Sequence, residues 1–578
     1  MSGDTDVDVD VDVDPVTLEV TRNACTAVCE EMNATLIRTG YSPNIKERRD
    51  CSCALFDADA EMISQAENMP VHLGAMPFSV AAAVEAFPPA SLAPGDAVLL
   101  NDPFHGGAHL PDLTLVTPVF HDGEVVAFAA NRAHHADVGG ARAGSVAGDS
   151  TEIYQEGLRI PPVKLFEGGD PNRAVFEMIL SNVRTPEERR GDLRAQEAAN
   201  ETGRRRFGEI VDERGADELT ATLEAIKDYS ERRMRAEIEA LPDGTYRFED
   251  VLDDDGLGNE ALPIRAAVTV DGDEGTVDFT GSADRTDGPV NAVFAVTASA
   301  TYYAVRCVTD PDIPPNHGCY RPIDVEAPAD SIVDPNPPAP VVGGNLETSQ
   351  RVTDVVLGAF GRAVPDRVTA AGQGTMNNVT FGGTDPRDGS PYAFYETQGG
   401  GFGGRSGTDG MDGVHVHMSN TMNTPAEVLE TAYPLRVTRY AFRPDSGGAG
   451  EFRGGLGLRR DIEIRDHEAT SSFLAERHES HPYGLDGGDP GGRGAVYRID
   501  PDGETTQLPP KSTRTLPAGT VVSIRTPGAG GYGDPTDRDP EAVARDVRLR
   551  KVTPEAALEA YEVDPSVLPD DTAGDADE

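Results

Sequence analysis

Lysine is nearly missing from this sequence. Lys46, Lys164, Lys227, Lys511 and Lys551 are the only ones among 50 basic residues, which face 99 acidic residues and leave a formal net charge of −49. No basic stripe exists to meet a phosphate backbone, so nucleic acid is excluded as a partner class. A surface this acidic repels itself at low ionic strength and is relieved when salt shortens the Debye length. Acidity combined with lysine scarcity points to the salty cytosol of a halophilic microbe. Long apolar runs are also lacking, and none reaches the roughly 18 residues of a membrane helix, so no membrane partner is expected. The segment from Asp4 to Asp14 is acidic and cannot be the basic start of a secretory signal, which makes the cytoplasm the expected location.

Cysteine is sparse. Cys25, Cys29, Cys51, Cys53, Cys307 and Cys319 form no CxxC pair. Cys25 and Cys29 suit a buried helix face, and Cys51 and Cys53 suit one face of a strand. Neither a structural zinc site nor a disulfide framework is expected. The dipeptide Gly-Lys never occurs, so the glycine-rich stretches Gly399–Gly404 and Gly528–Gly533 lack the phosphate-loop signature and read as tight turns. The chain therefore carries no ATP site of its own. A Gly-x-Ser-x-Gly elbow is absent too, which leaves covalent catalysis with little support.

The 578 residues amount to about three or four domains' worth of mass. The pattern predicts an α+β chain of several lobes: a mixed N-terminal half, a central helical segment and a β-rich C-terminal lobe. An acidic Asp-Val repeat over 1–14 is expected to stay disordered. Asp14-Pro15 reads as the capped start of a helix reaching Thr39. Residues 15–240 are expected to form an α+β region with a helical segment over 171–240. There Glu187, Glu188 and Asp192 lie near Arg189, Arg190 and Arg194, as a solvated helix face would. A mixed α/β region follows over 241–435, then a β-rich lobe over 436–535, then a helical tail with an acidic end over 536–578.

Candidate ligands crowd into two stretches, Asn101–Asp112 and Asn131–Gly140. Between them two apolar runs flank His121-Asp122-Gly123, a hairpin signal. Pairing across that turn sets residue numbers summing to 244 or 245 opposite one another, so Asp112 faces Arg132 or Ala133. His109, in a loop entered by Gly106-Gly107, can fold back on Asp112. His109, Asp112 and His134 can thus converge, and two imidazoles with one carboxylate suit a divalent Zn, Mn or Fe ion with open positions. Such an ion polarises a carbonyl or lowers the pKa of bound water. His135 could ligate in place of His134, and Asp102 and Asp137 could orient the imidazoles. The bland alternative is that these groups cap turns. His415 and His417, two apart, would share one strand face and suit substrate contact; His72 is a weaker candidate for the same role.

Several longer segments resemble the hydantoinase B/oxoprolinase family. They are Asn44–Asp50, Pro70–Gly74, Asn101–Asp112, Asn131–Gly140, Ser150–Gly157, Arg184–Arg189, Glu347–Arg351, Gly374–Asn378 and Gly528–Pro535, in one order from about Asp14 to Tyr561. The resemblance implies a hetero-oligomer with a hydantoinase A-type subunit that binds ATP and phosphorylates the substrate carbonyl. This chain would then open a cyclic amide such as hydantoin or 5-oxoproline. It also implies that the family's His-x-x-Asp with a later His corresponds to His109, Asp112 and His134. Proton handling would fall to His135 or Asp137. Two alternatives accompany this reading: a subunit of an ATP-dependent ketone carboxylase of the acetone or acetophenone type, and a non-catalytic scaffold for the A-type subunit.

Overall fold

A computed structural model describes residues 13–568 apart from Glu67. The Asp-Val repeat over 1–12 and the acidic end over 569–578 lie outside the described residues. Eleven α-helices and four β-sheets among the described residues make the chain α+β. None of these helices is long and apolar enough to cross a membrane.

Asp14 caps α1 (Pro15–Thr39), its carboxylate accepting from the Thr17 amide at 3.0 Å. After the single turn of α2 (Pro43–Lys46) come β1 (Cys51–Asp57), β2 (Met62–Gln65) and α3 (Pro70–Ala86). Strands β3 (Ala97–Leu100), β4 (Asp112–His121), β5 (Glu124–His134), β6 (Val163–Glu167) and β7 (Asp170–Pro171) complete a seven-stranded sheet. Its order is β2-β1-β5-β4-β3-β6-β7. The expected β4–β5 hairpin is present with one change. Near the turn His121 faces Glu124, a sum of 245, but a bulge beside Val119 shifts the pairing. An extra residue on one strand moves every later partner by one, and Asp112 ends opposite His134 rather than Arg132 or Ala133.

The expected helical segment comprises α4 (Arg173–Leu180), α5 (Pro186–Arg214) and α6 (Ala216–Glu239). Its charges are not all a solvated face. Arg189 and Asp192 are buried and paired at 3.1 Å. The burial has a cause: Asp192 Oδ1 accepts the Tyr41 and Ser42 amides at 2.8 and 3.0 Å, tying α5 to the end of α1. One and two turns further along, Gln196 and Asn200 donate to the Leu113 and Leu115 carbonyls, both at 2.9 Å. A buried polar row thus fixes α5 on the β4–β5 hairpin.

Strands β8 (Gly244–Asp254), β9 (Glu260–Asp271), β10 (Glu274–Asp278) and β11 (Ile323–Glu326) form a second sheet. Helix α7 (Phe294–Val308) lies between α3 and α8 (Ser349–Phe360), and α8 covers β8 and β9. Gly74 permits the α3–α7 approach, because a Cβ there would sit 2.4 Å from Ser299 Oγ. One core runs from Leu113 and Leu115 through Val268 to Val355, so packing is continuous across residue 240.

Further along lie β12 (Asn378–Thr384), β13 (Pro391–Glu396), α9 (Ala426–Ala432), β14 (Leu435–Phe442), β15 (Leu458–Ile464) and β16 (Ala469–Leu474). After them come β17 (Ala495–Ile499), β18 (Thr505–Leu508), β19 (Lys511–Leu516) and β20 (Val521–Arg525). They make two sheets, β13-β12-β16-β19 and β14-β15-β20-β17-β18, around a core that includes Phe381, Phe394, Ile462 and Ile524. Since β12 pairs with β16, this lobe draws strands from both sides of the expected boundary at 435/436. Helices α10 (Pro540–Arg548) and α11 (Pro554–Ala560) end the fold.

Arg460 and Glu396 form a buried pair between these two sheets at 2.5 Å. Removing one partner strands the other charge without water. Glu396→Ala should therefore cost about 3–5 kcal/mol, read as a lowered urea midpoint; an unchanged midpoint would contradict this.

Candidate metal centre

Three adjacent strands bring acidic and imidazole groups into one row. Cys51 pairs with Ala133 and Asp112 with His134, so Asp50, His134 and Asp112 stand side by side at the ends of β1, β5 and β4. The His134 amide donates to the Asp50 carbonyl at 3.0 Å. His109 reaches the row from a tight turn, in which the Asp112 amide donates to the His109 carbonyl at 3.1 Å. Asn101 braces that loop, its side chain donating to the Leu110 and Leu158 carbonyls at 2.7 and 2.9 Å. His72 comes in from the first turn of α3.

The ligand atoms of His109, Asp112 and His134 lie within 4.8 Å of one another, and all three residues are buried. Asp112 Oδ2 is 2.9 Å from His109 Nδ1, while its Oδ1 is 3.5 Å from His134 Nδ1 and 3.2 Å from His72 Nε2. These contacts are close, yet both Asp112 oxygens and both His109 nitrogens lack hydrogen-bonding geometry to any partner among the described residues. A buried, unsatisfied carboxylate and imidazole are costly. Groups that converge on one point without bonding each other are what a cation between them would require. Burial alone would raise the Asp112 carboxyl, but the imidazoles of His109 and His72 hold it well below the usual carboxylate range. Burial pushes His109 down, toward the neutral form that ligates metals. The residues present therefore fit a divalent ion. A second acidic group, Asp57, Glu61 and Glu224, already has its cation: Lys227 Nζ lies 2.7 Å from both Asp57 and Glu224 and also contacts Glu61.

Asp50 escaped the sequence reasoning, although it closes the Asn44–Asp50 segment. Its carboxylate lies 3.8 Å from His72 Nε2 and 3.9 Å from His134 Nδ1, close enough to act as a further acidic neighbour of the trio. Tyr395 escaped as well. Its ring stacks on His134 with centroids 4.6 Å apart and 7° between planes, and the Arg48 guanidinium lies 4.9 Å from its centroid. Tyr395 Oη donates to Asn378 Oδ1 at 2.9 Å, and Asn378 Nδ2 donates to Glu347 at 2.7 Å. Glu347 sits on a π-helical turn just before α8, with Oε2 buried and unpartnered. Tyr395, Asn378 and Glu347 come from elements more than 200 residues along the chain from His134, so no local spacing could have signalled their approach to it.

Other expected residues stand elsewhere. His135 does not replace His134: alternation along the chain turns its ring to α5, where Nε2 lies 2.9 Å from Gln196 Oε1, and burial lowers it to about 4. Asp137 is occupied by Arg184 at 2.8 Å and by the Gly139 and Gly144 amides. Asp102 caps Phe104 and pairs with His105 and Arg159 at 2.7 and 2.8 Å, which shapes the His109 loop from a distance. None of the three bonds to the trio. His415 and His417 do not share a strand face, because His417 adopts φ +49° in a turn and breaks the alternation. His415 Nδ1 meets Ser419 Oγ at 2.9 Å, whereas His417 lies 3.7 Å from Asp354. His72, expected only as a weaker substrate contact, belongs to the centre itself.

Comparison with known proteins identifies the family. The family model described as hydantoinase B/oxoprolinase matches residues 14–535. A Pseudomonas sp. protein assigned as the B-type component of a D-/L-hydantoinase is 34% identical, with 95% of each chain covered. 5-Oxoprolinase 1 of Arabidopsis thaliana is 38% identical over 90% of this chain, which spans only 42% of that longer protein. The solved ATP-dependent caprolactamase of Pseudomonas jessenii superposes with a TM-score of 0.89 at 32% identity, covering 98% of both chains.

Two outcomes follow from the geometry. His109→Ala and Asp112→Asn should each lower bound metal at least about tenfold by elemental analysis, with the far-ultraviolet circular dichroism unchanged; full metal content in either would remove the site. Burial, which outweighs the Thr375 hydrogen bond, raises Glu347 to about 8. This exceeds its unfolded value of about 4.3. The folded chain therefore keeps a proton that the unfolded chain has released. Stability is full below the lower value and falls as pH rises toward the upper one, by up to about 1.4 kcal/mol per pH unit. Wild type and Glu347→Gln should differ progressively more in urea stability between those values. A constant difference would contradict the assignment.

Proposed function

Because the chain belongs to the hydantoinase B/oxoprolinase family, we propose that it is the ring-opening subunit of an ATP-dependent cyclic amide hydrolase and works with a hydantoinase A-type subunit. The buried convergence of His109, Asp112 and His134 carries this reading. The caprolactamase and 5-oxoprolinase relatives support the amide-hydrolase chemistry. Similarity to a hydantoinase component named as a B-type subunit supports a multi-subunit enzyme.

A Zn, Mn or Fe ion held by His109, Asp112 and His134 would polarise the activated carbonyl and lower the pKa of water beside it. The chain's own groups do the remainder. Asp112, kept anionic, supplies the negative charge of the centre. His72 presents Nε2 to Asp112 at 3.2 Å and to Asp50 at 3.8 Å, while Nδ1 lies 3.4 Å from Ser52 Oγ. That arrangement holds the imidazole in one orientation beside both carboxylates, where it could relay a proton to the departing ring nitrogen. His72 therefore takes the proton role expected of His135 or Asp137. The Tyr395 ring covers one face of His134 and keeps bulk water off it.

The test is co-purification with the A-type subunit in concentrated salt and measurement of ADP release driven by 5-oxoproline, hydantoin, N-methylhydantoin and caprolactam. At least one ring should drive ADP release without bicarbonate. Product formation should fall on the order of 100-fold in Asp112→Asn, and His72→Gln should lower turnover more than substrate affinity. Strict dependence on bicarbonate with a ketone substrate would replace this reading by the carboxylase. The acidic, lysine-poor surface leads us to expect higher activity at salt on the order of 1 M, where the Debye length is short; an optimum in dilute buffer would refute the saline habitat.

A further inference from the structure

A groove of about 630 Å³ opens where α1 passes the end of β2 and the loop 311–315. Arg22, Arg38 and Arg49 line it, against the carboxylates of Glu30 and Asp312. A local excess of positive charge is unusual on a chain of net charge −49. Arg38 and Arg49 are exposed, and no carboxylate pairs with either among the described residues. Arg22 meets Glu19 at one end of its guanidinium, while its Nε is buried without a partner. The backbone directs Arg49 outward: it takes φ +56°, while its neighbours Arg48 and Asp50 are buried on the side of the metal centre.

Gln65 borders this groove. It is only 8% exposed, and its Oε1 has no partner. It borders both the arginine groove and a second cavity of about 340 Å³, which Asn68, Tyr302, Tyr303 and Asn420 also line. That second cavity reaches Pro70 and Leu73 on α3, the turn that carries His72. Cationic, amide and aromatic side chains thus line two neighbouring cavities that share Gln65. Guanidinium forks match phosphoryl oxygens, an orphan amide oxygen can take a donor from the ring, and tyrosine faces suit a small ring.

Resting on the proposed function, we infer that the Arg22–Arg38–Arg49 groove is an entry subsite for the phosphoryl group of the activated substrate, occupied before the carbonyl that carries this group reaches the metal centre. Two long-range consequences agree with this. At low salt the arginines counter the repulsion that the chain's net charge exerts on an incoming anion, and at high salt, where that long-range repulsion is screened, their direct guanidinium contacts remain.

The experiment titrates inorganic phosphate into the full chain by calorimetry, at constant ionic strength set with KCl. Wild type should bind saturably. The Arg38→Ala/Arg49→Ala double variant should bind at least about tenfold more weakly. Arg205→Ala, which removes an exposed α5 arginine paired with Glu209 at 2.9 Å, should bind as wild type does. No saturable binding, or equal binding by the double variant, overturns the subsite. Acetate competing as well as phosphate overturns the phosphoryl assignment, and loss of co-purification with the A-type subunit, with phosphate affinity intact, makes the groove a protein interface instead. Asp112→Asn separates this inference from the metal reading, since it should lose metal and keep its phosphate affinity.

Discussion

One dehydrated carboxylate organises the centre of this molecule. Asp112 is fully buried, anionic and without a hydrogen-bond donor in bonding geometry. A group of that kind is tolerated only where positive charge or oriented N–H dipoles surround it. His109 and His72 lie within 3.2 Å of its oxygens and His134 lies at 3.5 Å. The hairpin register, the bulge beside Val119 and the Asn101-braced loop all serve to bring those imidazoles to it. Gln196 and Asn200 then lock α5 over the hairpin, so that the register cannot slip without breaking several buried hydrogen bonds.

Much of this was legible in the sequence because it is local. Asp14-Pro15 announces α1, Asp122-Gly123 announces the hairpin, and the trio is assembled from two loops at that hairpin's open end. The error of one in the register has a local cause that no turn rule contains: a bulged residue carries no distinctive side chain. The misreading of His135 has a different origin. Adjacent strand residues face opposite sides, and which of His134 and His135 points inward depends on that same register.

The missing parts of the site were non-local. Asp50 joins through pairing of β1 with β5, and Tyr395, Asn378 and Glu347 join from the C-terminal half. Nothing in spacing predicts that Tyr395 will stack on His134. Arg189 and Asp192 show the converse. Their i,i+3 placement looks like a surface pair, and only the backbone amides of Tyr41 and Ser42, about 150 residues away in sequence, make their burial affordable. The His417 turn is a further case, since its positive φ overrides the alternation that His415-Val416-His417 suggests.

The near-complete enclosure of His109, Asp112 and His134 also bears on kinetics. An ion seated among them would be shielded by the β4–β5 end, the His109 loop and the Tyr395 strand on every side except the one from which substrate arrives. A chelator too bulky for that side would then have to wait for a local or sub-global opening, so small chelators should strip the folded protein faster than large ones of equal affinity.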